Sequence, residues 1–489
     1  MAKGRRTMFD RSRREFILQG LAWSVSLTGL TGCAAGGTHQ QSNKEPNRGV
    51  TTTELQRKTL PDIQDVDWDL IITNGRVIDG TGKPGFSGTV AVTKDRISSV
   101  MEGNANIDQH VLYMGTERYR LKPDCQVILA DGACITPGFI DVHTHNEEYL
   151  KTNPRAEVRL LQGVTSQIGG NCGESVDDIP RFYQRLGDLG INYGQLMGYR
   201  NLRRLAMGEE AEREASSREI DRMVDLLQQG LQAGSPGLSF ALEYAPQSSA
   251  TQRELKILAE ALAHHRGIMA THLRSESVQL LESIDEMAEI AFESGVSWQY
   301  SHVKALFRDN WDKYPAVLQR ISDAVAKGVD LWGDMYLYDF SSWDFGTGRI
   351  SISEENIQLG LAHPRLFIAS DSGLYANGRV SHPRAYGNFP KMLAHYVRDR
   401  QVISLEEAVA KMSGLPAQRF RISGRGKIAP GYKADMLIFR LEDVQDRAER
   451  NKPNLLPVGM RYVFVNGQAA VKEGEPTGNR SGQRLHFNS

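Results

Sequence analysis

Between Cys134 and Gly373 short apolar runs alternate with longer stretches whose apolar residues recur every three or four positions. Eight runs stand out: "CITPGFIDVHTH", "GVTSQIGGNCG", "INYGQLMGY", "PGLSFALEY", "GIMATHLR", "VSWQYSHVK", "VDLWGDMYLY" and "RLFIASDSG". Each is followed by a polar or helical segment such as "REIDRMVDLLQQGLQAG" or "SVQLLESIDEMAEIAFESG". That alternation is the mark of repeated βα units around a parallel sheet. Eight units predict an α/β protein with a closed (β/α)8 TIM-type barrel over residues 136–423, its chemistry at the C-terminal ends of the strands. No Gly-rich dinucleotide fingerprint opens any unit, which disfavours an open, doubly wound sheet.

The flanks follow a different rhythm. "DLIITNGRVIDGTG" and "GTVAVTKDRISSV" are β-branched runs cut by Asn-Gly, Asp-Gly and Thr-Gly turns, and "GKIAPGYKADMLIF" and "MRYVFVNGQAAVKEG" return to that style. Residues 67–135 and 424–475 are therefore predicted to build one small β-sandwich domain from both chain ends. Further upstream, "RSRREFILQGLAWSVSLTGLTGC" has a basic start, an apolar run from Phe16 to Leu30 and then small residues. This is a signal-peptide layout, short for a membrane span. Arg13-Arg14 resembles a twin-arginine export signature and "LTGC" a lipoprotein box ending at Cys33. The expectation is an exported protein, periplasmic or membrane-anchored through lipid on Cys33, with residues 1–33 as signal and 34–66 as a flexible tether.

Composition adds bounds rather than direction. The 489 residues are 40% hydrophobic and 24% charged, with a formal net charge of -1. No global field draws such a chain to nucleic acid, so a small-molecule partner is expected. Cysteine is scarce: Cys33, Cys125, Cys134 and Cys172. Cys125 and Cys134 read equally as core thiols or, in an oxidising compartment, as a disulfide. Cys172, in the glycine-rich turn "GGNCGES", has no evident partner, which favours a dedicated role.

Placed on the predicted strands, the polar residues converge. The first strand ends in His143-Thr144-His145, whose imidazoles share a face because alternate residues of a strand do. The second ends at Cys172, the fifth at His272, the sixth at His302 and the eighth at Asp371. Soft nitrogen and sulfur donors with a carboxylate suit zinc. Zinc lowers the pKa of a bound water toward about 7, and a carboxylate such as Asp371 can take its proton and deliver it to a leaving amine. The expected reaction class is hydrolysis of an amide or related C–N bond without a covalent intermediate.

This pattern resembles the amidohydrolase superfamily. Within it, "PGFIDVHTHNEEYL", "GNCGES", "GLSFALEYAP", "THLRSES", "SHVKAL", "SDSG" and "HPRAYGNFPKML" resemble the D-aminoacylases, the N-acyl-D-amino-acid deacylases. The resemblance spans residues 67–475 and implies His143 and His145 at one metal position and His272 and His302 at the other. Cys172 stands where many relatives bridge the metals with a carboxylated lysine or a glutamate. It further implies one tight zinc near Cys172 and a second, weakly held position at His143 and His145. Asp371 takes the general acid/base role, and Lys304, Arg384 and a tyrosine, Tyr336 or Tyr338, contact the substrate carboxylate. The implied activity is hydrolysis of N-acyl-D-amino acids to a carboxylate and a D-amino acid. Its rivals are another amidohydrolase reaction (dipeptide, dihydroorotase-like or hydantoinase-like) and a surface-anchored binding lipoprotein without turnover. Arg274 lies close to a ligand with its role open, and Glu147, Glu148, His264 and His265 read as loop and helix residues. "LWGDMYLYDFSSWDF" reads either as the wall of an acyl pocket or as core. One departure stands out: relatives carry a sizeable insertion over the site between the positions of Tyr336 and Asp371, and this chain has only a short segment there.

Overall fold

The computed structural model of the chain describes residues 62–380 and 382–487. The segments expected to carry an export signal, a lipid anchor at Cys33 and the tether up to residue 61 lie outside the described residues. Among the described residues no helix is long and apolar enough to cross a membrane.

The eight apolar runs each contain strand. These are β1 (Phe139–Asp141, continued by Thr144–His145), β2 (Val164–Gly169), β3 (Asn192–Gln195, continued by Met197–Gly198) and β4 (Gly237–Ala241). They are followed by β5 (Ile268–His272), β6 (Ser297–Tyr300), β7 (Leu331–Met335) and β8 (Leu366–Ile368, continued by Ser372–Gly373). Every neighbouring pair is parallel, from Phe139 opposite Val164 through to Gly333 opposite Leu366. The continuation of β8 then lies parallel to that of β1, with Ser372 opposite Thr144. Ile140, Val142, Ile168, Leu196, Ile268, Ala270, Phe367 and Ala369 from these strands share one apolar cluster.

Helices cover the outside for local reasons. The helix Ser217–Gln232 starts at Ser216, whose backbone and side chain form a capping box with Glu219. It buries Ile220, Met223 and Leu227, the three-and-four spacing of an amphipathic face. The helix Leu280–Ser294 stops where Gly295 takes a left-handed conformation.

The flanking segments meet in a nine-stranded sheet. Leu70–Val77 pairs in parallel with Cys134–Pro137, which in turn pairs antiparallel with Met436–Phe439 from the far end of the chain. The run that opens with Cys134 thus divides: its first four residues join this sheet and β1 begins at Phe139. A four-stranded sheet packs against it through Trp68, Ile71, Ala91 and Leu112, and its strand Gln64–Asp65 starts inside the segment expected as tether. Cys125 and Cys134 are both free thiols, each pushed up to about 11 by burial, so the disulfide alternative is not realised.

Candidate metal centre and active site

At the end of β2 the backbone reverses tightly. Gly170 and Gly173 have φ of +77° and +76°, and a Cβ on them would strike the Leu196 carbonyl and the Gln247 amide. Cys172 between them takes φ +51°, and His302 and Asp371, beyond β6 and β8, take +40° and +48°. Left-handed backbone at a non-glycine residue costs of order 1 kcal/mol and persists only where neighbours over-determine it. Those neighbours are visible. Glu147 accepts a hydrogen bond from the Gly170 N–H, and the Asn171 amide donates to the Val142 and Ile168 carbonyls at 3.2 and 3.1 Å. On the other side Asp141 accepts from the N–H groups of His143 and Ser370 at 3.3 and 2.9 Å, tying β1 to the segment that carries Asp371. A buried ion pair with Arg159 fixes Asp141 in turn.

The donors expected from five strand ends are brought together. His143 is fully buried and places Nε2 3.3 Å from Cys172 Sγ, while its Nδ1–H donates to Asp334 at 3.1 Å. His302 places Nε2 3.5 Å from the same sulfur and turns Nδ1 to Glu276 at 2.9 Å. His272 turns Nδ1 to His302 Nε2 at 3.1 Å and donates from Nε2 to Glu243 at 2.9 Å. His145 is the more open imidazole, its Nε2 3.3 Å from Asp371 Oδ1, and His143 Nε2 lies 3.5 Å from that oxygen.

This donor set fits a metal. With its other nitrogen committed to a carboxylate, each inward nitrogen presents a lone pair, and lone pairs 3.1 Å apart repel unless a cation lies between them. Tetrahedral zinc at its usual bond lengths separates nitrogen ligands by roughly 3.3 Å and nitrogen from sulfur by roughly 3.5 Å. The corresponding separations here are 3.1 Å, and 3.3 and 3.5 Å. Burial opposes charge on Cys172, but the His143 and His302 imidazoles outweigh it and hold the thiol well below its ordinary range. Asp371 is likewise buried, and Arg384 and His143 hold its carboxyl well below the usual carboxylate range.

The carboxylates Asp334, Glu243 and Glu276 were not singled out from sequence. Each held imidazole keeps one tautomer and one orientation because of them. Glu276 carried a weak signal, four residues after His272, and Glu243 and Asp334 sit at or just beyond the ends of β4 and β7. Glu243→Gln is expected to weaken zinc binding about 10–100-fold, read by chelator competition, because the His272 ring loses its anionic partner. An unchanged affinity would show that the ring needs no such anchor.

The centre floors a cleft of about 730 Å³ whose walls include Lys304, Tyr336, Asp371 and Arg384. Arg384 pairs through Nη2 with Asp371 at 2.7 Å, donates to Ser342 Oγ at 2.8 Å and from Nε to the Asp371 carbonyl at 2.7 Å. Its Nη1 has no hydrogen-bond partner among the described residues, and its Cζ lies 4.3 Å from the centre of the Tyr336 ring. The Tyr336 hydroxyl is buried without a hydrogen-bond partner among the described residues. Lys304 reaches the cleft wall but is engaged, 2.6 Å from Glu276 and 2.8 Å from His302 Nδ1. Tyr338 is not brought to the cleft: the chain leaves β7 at Met335, strand alternation ends there, and the Tyr338 hydroxyl donates to Asp446 at 3.2 Å. Arg274 turns away to Glu286 and the Ser248 and Ala250 carbonyls. Glu147 and Glu148 line the mouth, while His264 and His265 lie at the end of the helix Gln252–His264.

A model of the amidohydrolase family matches residues 344–471. The N-acyl-D-glutamate deacylase of Alcaligenes xylosoxydans xylosoxydans is 30% identical, over 85% of this chain and 96% of the relative. The D-aminoacylase of the same organism is 28% identical, over 86% and 97%. Among solved structures, N-acyl-D-glutamate deacylase from Bordetella bronchiseptica, complexed with zinc and a phosphonate mimic of the tetrahedral intermediate, superposes with a TM-score of 0.77. The match has 28% identity and covers 86% of this chain and all of that one. The chain therefore belongs to the D-aminoacylase family, the N-acyl-D-amino-acid deacylases, within the amidohydrolase superfamily.

Proposed function

We propose that this protein is a zinc-dependent hydrolase of N-acyl-D-amino acids, built on a (β/α)8 barrel with a β-sandwich domain made from both chain ends. The observation that carries the reading is the cluster of His143, His272 and His302 around Cys172, each of the three backed by its own carboxylate, with His145 and Asp371 beside them. Cys172, His272 and His302 would hold the tight zinc, and His143 and His145 the second position. When bound, zinc supplies Lewis-acid polarisation of the amide carbonyl and makes water a usable nucleophile at neutral pH.

The remaining work belongs to side chains. Asp371 is ionised and close to both His143 and His145, so it is the group to take a proton from the attacking water. It returns that proton to the amide nitrogen as the C–N bond breaks, and the D-amino acid leaves as a free amine. Arg384 holds the Asp371 carboxylate with Nη2 and offers Nη1 to the substrate α-carboxylate, a fork geometry that a lysine lacks. The Tyr336 hydroxyl is a second donor toward the same group. Lys304 acts through Glu276 and His302, keeping the cleft wall charged and the His302 ring in place.

The D-configuration rests on the named relatives. A panel of N-acetyl-D- and N-acetyl-L-amino acids, with dihydroorotate, hydantoins and β-aspartyl dipeptides alongside, tests it on zinc-quantified protein. Release of free D-amino acid is expected. Turnover confined to L-substrates or to cyclic amides overturns the reading.

A further inference from the structure

The short segment between β7 and β8 is built to do something at the cleft. Its one-turn helix Ser342–Asp344 is fixed at three points. Ser342 Oγ accepts from Arg384, the Asp344 carbonyl accepts from Arg450 at 2.6 Å, and the Trp343 N–H donates to the Tyr244 hydroxyl at 3.1 Å. The indole is nevertheless 76% exposed and lines the cleft, with Tyr244, Leu374 and the half-exposed Tyr375 on the same walls. Tyr244 also leans on His272, ring centres 4.9 Å apart, so the aromatic wall begins at the metal ligands and runs outward. A large apolar side chain held rigidly in solvent at the mouth of a cleft is a binding surface awaiting an apolar group.

Strand order says which half of the substrate reaches it. Asp371 and Arg384 follow β8, and Tyr244 follows β4, four places away in the order of pairing. The leaving nitrogen must face Asp371 and the α-carboxylate Arg384, which puts the amino-acid half on the β8 side. The acyl half then points toward Tyr244, and the Trp343 indole, although its backbone follows β7, reaches across to that side by its hydrogen bond to the Tyr244 hydroxyl, ring centres 6.1 Å apart. We infer that Trp343, with Tyr244, is a specificity-determining residue for the acyl group, and that the enzyme takes bulky apolar acyl groups, medium alkyl or aryl, in preference to acetyl. The inference rests on the deacylase reading and narrows its substrate class.

The test is the N-acetyl, N-butanoyl, N-hexanoyl and N-octanoyl series of D-leucine, D-glutamate and D-aspartate with wild-type protein, Trp343→Ala and Trp343→Phe, with chain-length dependence read on whichever D-amino acid is released fastest. In the wild type kcat/KM is expected to rise at least about tenfold from acetyl to octanoyl, as added methylenes are buried against the indole and phenol. Trp343→Ala should collapse that ratio toward one, mainly through KM, and Trp343→Phe should restore much of it. The exposed position makes misfolding of these variants a small concern, and circular dichroism checks it. Wild-type protein that hydrolyses the series without regard to chain length, or a ratio that survives Trp343→Ala, overturns this inference alone. A zinc-loaded protein that hydrolyses none of the series overturns the deacylase reading and this inference with it.

Discussion

Cys172→Ala is expected to leave the purified protein without its tight zinc and to lower turnover of N-acyl-D-amino acids by far more than the roughly 10–100-fold typical of losing a partner behind a ligand. The sulfur sits between His143 and His302 at 3.3 and 3.5 Å, so removing it deletes the donor that the others share. It also removes the one thiolate among the donors, whose negative charge offsets that of the cation they would hold. Alanine at φ +51° keeps the backbone strain of the cysteine, and Cys172→Gly relieves it, so the pair separates metal loss from misfolding. Both variants should fold, by circular dichroism, and both should lack metal by elemental analysis after dialysis. If Cys172→Ala kept full metal and activity, the ligand assignment would have to be abandoned.

Asp371→Asn is expected to lower kcat by about 10²–10⁴-fold while KM changes little. Asparagine has the same shape, tolerates the left-handed conformation seen at this position, and still accepts from Arg384. What it cannot do is carry a proton from water to the leaving nitrogen. Zinc content should be close to that of the wild type, since the tight position does not need Asp371. A variant with wild-type kcat would remove Asp371 from the chemistry. Wild-type protein that binds N-acyl-D-amino acids, in calorimetry, as tightly as the variant but hydrolyses none would favour the binding lipoprotein.

Much of this was legible in the sequence because it is local. A strand end is marked by the last apolar residue of a short run, and a His, Cys or Asp one to four positions later needs only that landmark. The residues behind the ligands were not legible, since their roles arise from pairing between strands. Asp334 reaches His143 across 191 positions of sequence, and Glu243 reaches His272 across 29. The resemblance left Tyr336 and Tyr338 as alternatives, and the choice between them lies in tertiary structure: both follow the end of β7, and of the two only Tyr336 lines the cleft. Arg384 was expected to face substrate, and it does so with one nitrogen while the other two hold Asp371 and Ser342, a division that no motif encodes.

The nine-stranded sheet has a consequence for how the chain folds as it is made. Cys134–Pro137 pairs with Met436–Phe439, about 300 residues downstream. At ordinary synthesis speeds that partner emerges about 15–60 s later. For that interval one edge of the strand is open, with the apolar Ile135 on it, in a form prone to pair with the wrong chain. A hazard in producing this enzyme therefore lies in the nine-stranded sheet, and slower growth at lower temperature with chaperones present is the condition under which soluble yield should improve.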